Sequence, residues 1–292
     1  MLCLSNILKT ELIILKAMMA TTLLNAPLVE LIAEIRWSPG IEAVQATSMQ
    51  PGGVNTPAFY LASSEFADFF SRFGNAVAEL SYSVSERLVP PEIPFLMVQP
   101  VYRYKQQAQD QQTSLYQVGP GLFTANAVPP YQTWDTFSPV VKAGVNAILE
   151  SRSEAERDSP FIATSLRYID AFGVNLTRGM DVATFMRDIL GVDVKLPKGM
   201  VKHLATDATY KPSIQVQIPM HAGMIMSVAI GEGIINNNQS IVMDTTVSTT
   251  TPIAANIDAV MQAMNVARTS IHDMFFEITG PIKELMKPQG AE

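Results

Sequence analysis

Residues 114–151 read SLYQVGPGLFTANAVPPYQTWDTFSPVVKAGVNAILES, and this stretch decides the fold. Ser114 to Val118 is a short β-prone run. Gly119-Pro120-Gly121 follows, with proline presetting φ at the second turn position and glycine tolerating positive φ at the third, the chemistry of a type II turn. Leu122 to Val128 resumes the extended pattern until Pro129 and Pro130 end it, because proline has no N–H for a ladder. From Trp134 the period changes. Phe137, Val140, Val141, Val145, Ile148 and Leu149 fall on one stripe of a helix, with Thr133 as its N-cap and Asp135 at the positive end of its dipole. Strands that feed directly into a helix able to cover them are an α+β signature.

Upstream, Leu28 to Trp37 alternates: Val29, Leu31, Ala33, Ile35 and Trp37 share one face, and Glu30, Glu34 and Arg36 the other, as a half-buried strand requires. Gly40 to Pro57 is punctuated as a loop. Ser63 or Ser64 caps a helix with the stripe Phe66, Phe69, Phe70, Phe73, Val77 and Leu80. Pro90, Pro91 and Pro94 force an extended connection; Phe95 to Lys105 reads as a strand and Gln106 to Thr113 as a polar hairpin loop.

Downstream, SRSEAERDSP at 151–160 is the sharpest shift in composition and reads as a linker between halves. Phe161 to Val174 is a strand, Asp181 caps a short helix stopped by Gly191, and Lys195 to Thr206 is irregular. Three more strands follow, the first with Ile214, Val216, Ile218 and Met220 alternating with Ser213, Gln215 and Gln217. Asn236-Asn237-Asn238 is turn material before the last of them. A final helix runs from Ile257 through Leu285, with Gly280-Pro281 breaking it near its end.

The predicted fold class is therefore α+β with two similar halves, 23–152 and 160–292. Each is a mostly antiparallel sheet covered by a long helix, in the order strand-helix-strand-strand-strand-helix. The element order is similar to helix-grip and TATA-binding-protein-like layouts, which does not fix function. Residues 1–22 are expected to lie outside the fold. MLCLSNILKTELIILKAMMA at 1–20 is broken by Lys9, Glu11 and Lys16 and reads as an upstream start, with Met18 or Met19 the working one.

Composition narrows the function classes. Of the 292 residues, 48% are hydrophobic and 16% charged, below the roughly 25% charged of ordinary globular chains, which argues for much buried surface and for a homo-oligomer or a protein partner. A net charge of −7 disfavours a nucleic-acid footprint, which needs clustered Lys and Arg. No apolar run reaches the ~18–20 residues of a membrane span. The single cysteine, Cys3, leaves no disulfide framework and fits the reducing cytoplasm.

Chemistry is sparse. His203, His221 and His272 lack metal-ligand spacing. There is no nucleophile elbow and no phosphate loop, and Gly231-Glu232-Gly233 is only a fragment of a dinucleotide fingerprint. Ile35-Arg36-Trp37, Tyr102-Arg103-Tyr104 and Leu166-Arg167-Tyr168 each set an arginine beside an aromatic in a strand, on opposite faces. Arg36, Arg103 and Arg167 either pair across strands with Glu30, Glu34 or Asp170, or line a groove for an anionic ligand. Asp244 is the oddest charge in a strand, solvated or held by an arginine. Thr245 to Thr251 reads as an edge strand open to strand addition, and the methionines as core filling or an adaptable contact surface.

Several blocks carry a resemblance: NAPLVELIAEIRW (25–37), LYQVGPGLFTAN (115–126), YQTWDTF (131–137), SLRYIDAF (165–172) and VMDTTVSTT (242–250), then a helix with HDMFFEIT (272–279). Together they resemble a family of uncharacterised prokaryotic proteins known for sporadic distribution among genomes. The resemblance runs from about residue 23 to the end. It implies an α+β protein of this size, no established activity, and a distribution that suits horizontally moved cargo such as a defence or toxin–antitoxin component.

The sequence points to a cytoplasmic binding or assembly protein without an evident catalytic site, cofactor or metal, and leaves its status as an enzyme undecided. Candidate binding residues are Arg36, Arg103, Arg167, Trp134, Asp244 and His272. The alternative is a small-molecule or enzymatic cavity protein, with a pocket of several hundred Å³ between sheet and long helix.

Overall fold

A computed structural model describes residues 22–39, 59–60, 64–91, 93, 95–96, 99–107, 113–130, 133–154, 156–206 and 208–289. The expectations for residues 1–20 and for the 40–57 loop lie outside the described residues, as does most of the 106–113 loop.

Strands β1 (Leu28–Trp37), β2 (Val84–Arg87), β3 (Tyr102–Lys105), β4 (Ser114–Gly119), β5 (Leu122–Ala127), β6 (Phe161–Phe172), β7 (Ile214–Met220), β8 (Met224–Ile235) and β9 (Asn238–Thr249) form one antiparallel sheet. Its order is β7-β8-β9-β6-β1-β5-β4-β3-β2. Helices α1 (Ser64–Glu79), α2 (Trp134–Ser151) and α4 (Ile257–Ile278) lie side by side on one face, and the short α3 (Val182–Asp188) packs its Phe185 on Phe172 of β6. Two small two-stranded pairings, Thr22–Leu23 with Pro288–Gln289 and Phe59–Tyr60 with Phe95–Leu96, sit apart from this sheet. The protein is thus α+β with a large antiparallel sheet.

The central unit forms as its residues dictate. β4 and β5 pair around Gly121, whose φ of +69° is the left-handed value the turn needs. Thr133 caps α2 in a reciprocal capping box with Thr136. The helix lies close to the sheet because residue 144 has no side chain: a Cβ there would stand 2.5 Å from Phe123 Cζ and 2.7 Å from Tyr116 Cε1. The period-2 reading of β1 also holds: Leu31, Ala33, Ile35 and Trp37 are buried, while Ile32, Glu34 and Arg36 alternate outward. Asp181 caps α3 through the Thr184 N–H, and Asn236 and Asn237 take positive φ in the β8–β9 turn. Gly280-Pro281 ends α4 as expected, in a 3-10 turn.

Other expectations need correction. Phe95 to Lys105 is not one strand. Phe95–Leu96 pairs with Phe59–Tyr60, and only Tyr102–Lys105 joins the main sheet, beyond Pro100, which has no N–H for a ladder. Val84–Arg87, to which the sequence reading assigns no element, is the edge strand β2. Leu80 lies just past α1 and is exposed. Thr245 is not on an edge strand: β9 is hydrogen-bonded to β8 on one side and β6 on the other. The other edge is β7, and its apolar face is uncovered, with Val216 and Ile218 exposed because the helix layer does not reach it.

The polar stretch after α2 is held firmly. Arg152 is buried, donates to the Ser159 carbonyl at 2.8 Å, and lies over the rings of Phe161 and Trp37. Glu156 accepts from the Trp37 indole at 3.3 Å and from the Ser153 hydroxyl at 3.0 Å. A run with the composition of a linker therefore closes one end of the sandwich, and the β1–β6 pairing makes the sheet continuous on both sides of it.

Candidate functional site

The sheet has two unlike faces, and the six candidate binding residues divide between them. On the face away from the helices, strand alternation lines up Glu30, Glu34 and Arg36 of β1, Arg167 of β6 and Asp244 of β9. A shallow depression of about 450 Å³ lies there. Every candidate arginine on this face is engaged. Arg36 bonds Glu34 at 2.5 Å, Arg167 grips Asp244 through Nε at 2.8 Å and through Nη2, and Arg103 reaches Glu86 at 3.4 Å, where Lys105 also sits at 3.1 Å. The hydrogen bonds it donates to Asp244 hold the Arg167 guanidinium above its ordinary pKa. Two of the triplet arginines pair across strands, Arg103 with Glu86 and Arg167 with Asp244, whereas Arg36 pairs with Glu34 two residues earlier on its own strand; Asp244 has the arginine partner that its odd position suggested. Exposed pairs of this kind contribute little to stability, and guanidinium groups already neutralised by carboxylates make a poor anion groove.

On the helix side, Trp134 and His272 come together. The first residue of α2, the loop before β1, the middle of β6 and one face of α4 line a partly open cavity of about 110 Å³. Trp134 donates its indole N–H to Asn265 Oδ1 at 2.8 Å, which ties the start of α2 to α4. Pro27, Leu28, Ile271, Phe275 and Phe276 supply apolar wall, and Tyr168, Asp170, Arg268 and His272 are its polar and charged groups.

Asp170 is the unexpected member. It lies three residues from Arg167, and an odd spacing in a strand puts the two on opposite faces, so Asp170 joins Leu166 and Phe172 on the helix side. The residue is 4% exposed and makes no ion pair among the described residues. Burial first, and the Asp244 carboxylate second, push its carboxyl up to about 7. This position also corrects the expectation that it serves as an arginine's partner. The strand period alone could have exposed it as a carboxyl placed in a core.

His272 stands across the cavity on α4. Its Nδ1 faces Asp273 Oδ1 at 3.4 Å, and its Nε2 is buried without a hydrogen-bond partner among the described residues. Burial, reinforced by the Arg268 guanidinium one turn earlier, lowers its pKa, so the ring is neutral at pH 7. Arg268 carried no signal beyond helical spacing from His272. The cavity is smaller than the several hundred Å³ expected, although polar groups do converge on it.

His203 and His221 are exposed. Among the described residues no three His, Cys, Asp or Glu side chains gather as a metal site, and no helix is long and apolar enough to cross a membrane. Comparison with protein-family models, curated proteins and solved structures finds no match to the chain.

Proposed function

We propose that the protein binds a small molecule in the cavity between β6 and α4, without making or breaking bonds in it. One observation carries this reading: an unpaired, buried carboxyl (Asp170) and a buried imidazole nitrogen without a partner (His272 Nε2) belong to the walls of one cavity. Buried polar groups are nearly always satisfied, and where they are not, a ligand or ordered solvent is the usual partner. Among the described residues no nucleophile–base pair stands beside them, which favours binding over catalysis. The family resemblance brings no activity with it, so the reading rests on the cavity.

The two tryptophans provide the test. Trp134 lines the cavity, and Trp37 lies at the far end of β1 from Leu28, roughly 30 Å away at strand rise. With 15N-labelled indoles, titration with small aromatic probes such as indole or benzylamine is expected to shift Trp134 saturably, with Kd near or below about 1 mM, and to leave Trp37 unmoved. Equal movement of both, or no saturation, would remove the proposal.

The sheet order also supports the finer fold reading of two like-ordered halves. Outward from the central β1–β6 pair, the strands run β5-β4-β3 on one side and β9-β8-β7 on the other, each in descending chain order. We take α2 and α4 as the matching long helices, with β2 as an addition to the first half.

The uncovered β7 edge favours a second reading, assembly with another copy of the chain. Ile214–Met220 carries no charge, its outer backbone groups are unpaired, and Val216 and Ile218 are exposed. The opposite edge, β2, is short and carries Glu86 and Arg87. Light scattering is expected to find a dimer that Val216→Lys with Ile218→Lys converts to a folded monomer. A strictly monomeric parent protein ends this reading.

A further inference from the structure

We infer that the ligand is a small zwitterion, with an ammonium group seated against Asp170 and His272 and a carboxylate directed to Arg268. This deepens the cavity-binding reading and rests on it.

Acceptors come first. Asp170 is the one acid lining the cavity, and it has no cation of its own among the described residues. His272 is neutral at pH 7, and with its Nδ1 proton turned to Asp273, its buried Nε2 keeps a free lone pair. A carboxylate and an imidazole lone pair are both acceptors, and an ammonium group carries three donors and the charge that a buried carboxylate lacks. A ligand carboxylate placed here would meet a second carboxyl group and an imidazole lone pair, neither of which brings it a positive charge.

Ring chemistry agrees. Trp134, Tyr168, Phe275 and Phe276 all contribute to the walls. Aromatic faces attract cations, more strongly where water is excluded, and recognition of ammonium groups by several rings is a recurrent use of this attraction.

Arg268 fixes the other end. It lines the same cavity from α4 and is less buried than Asp170. For a bare amine its positive charge is repulsive. A carboxylate on the same molecule reverses that and pairs with the guanidinium while the ammonium faces inward. The zwitterion thus leaves neither charge of the cavity opposed.

A matched series of probes separates these claims: phenylalanine, 2-phenylethylamine, 3-phenylpropionate and 2-phenylethanol, each titrated against the full chain and followed at the Trp134 indole. Phenylalanine is expected to bind tightest, about tenfold or more ahead of the neutral alcohol. Asp170→Asn should erase the advantage of phenylethylamine over the alcohol and reduce that of phenylalanine, which keeps its carboxylate on Arg268, and Arg268→Gln should bring phenylalanine down to the level of phenylethylamine. Tightest binding by phenylpropionate, or equal binding by all four, overturns the zwitterion while the cavity reading stands. Failure of every probe to move Trp134 overturns both.

Discussion

Asp170→Asn should gain on the parent protein by roughly 4 kcal/mol in unfolding free energy between pH 4 and pH 8. The direction follows from proton counting. In the unfolded chain an aspartate titrates near 3.9, whereas burial lifts Asp170 to about 7 in the folded protein. Between those values the folded state holds a proton that the unfolded state has released. Stability from this group is therefore present at low pH, declines as pH rises through the window, and stays low above it. Asparagine has no such transition. Its amide adds a pH-independent offset of ~1–3 kcal/mol if left unsatisfied, so the informative quantity is the change in the gap.

Other carboxylates contribute with the opposite sign, at the acid end of this window and below it. Asp181, capped onto the Thr184 N–H, and Asp188 and Glu86, paired with Arg187 and Lys105, are held below the usual carboxylate range. They are common to both proteins and cancel in the difference. Around Asp170 itself, Asp244 on β9 raises it further, and Tyr168 on β6 and Arg268 and His272 on α4 share its cavity. Urea unfolding of both proteins at steps from pH 4 to pH 8 measures the gap directly. A gap that stays flat means that Asp170 is already ionised and solvated, which would also deprive the cavity of its unpaired acid.

The layout of the site explains what the sequence could and could not reveal. The centre of the chain was legible because its signals are local: a Gly-Pro-Gly turn, a Thr-capped stripe, a period that switches at Trp134. Sheet order is set by contacts far apart in sequence, and no local pattern says that β1 pairs with β6 or that β7 is left at the edge. That is why β7, patterned as a half-buried strand, proves uncovered, and why Thr245 lies inside the sheet. The short edge strand Val84–Arg87 had no apolar face to announce it, since all four residues are exposed. The arginines were visible as odd residues in strands, but of Glu30, Glu34 and Asp170 only Glu34 pairs with one; Arg167 takes Asp244, and Arg103 takes Glu86 on a strand the pattern did not show. Asp170 was misassigned because it was considered with its neighbours in sequence rather than with the face it occupies. The cavity itself depends on how α4 sits over β6, which helical periodicity alone does not specify.

Phe73→Ala is expected to remove about 3–5 kcal/mol of stability, a large part of the ~5–15 kcal/mol available to a folded protein. Phe73 is fully buried on α1, and its ring meets Phe69 at 6.4 Å, Tyr104 at 5.4 Å, Tyr116 at 6.4 Å and Phe123 at 6.0 Å. It therefore joins the helix to three adjacent strands, β3, β4 and β5. Truncation loses the transfer free energy of the ring and leaves a hole that cannot close cheaply, because the surrounding rings are held elsewhere. Tyr104 donates to the Phe70 carbonyl and Tyr116 to the Val140 carbonyl. Leu80→Ala is the discriminating control. Sequence periodicity places Leu80 on the same stripe as Phe73, but it is 39% exposed beyond the end of α1, and its loss should cost no more than about 0.5 kcal/mol. Equal costs at the two positions would mean that the helix continues past Glu79 and that the stripe, not the ring cluster, holds α1 to the sheet. Because β1 and β6 are paired along most of their length, the Phe73 loss should appear as one shifted transition. Two transitions, with only the first displaced, would mean that the part of the sheet under α1 unfolds without the rest.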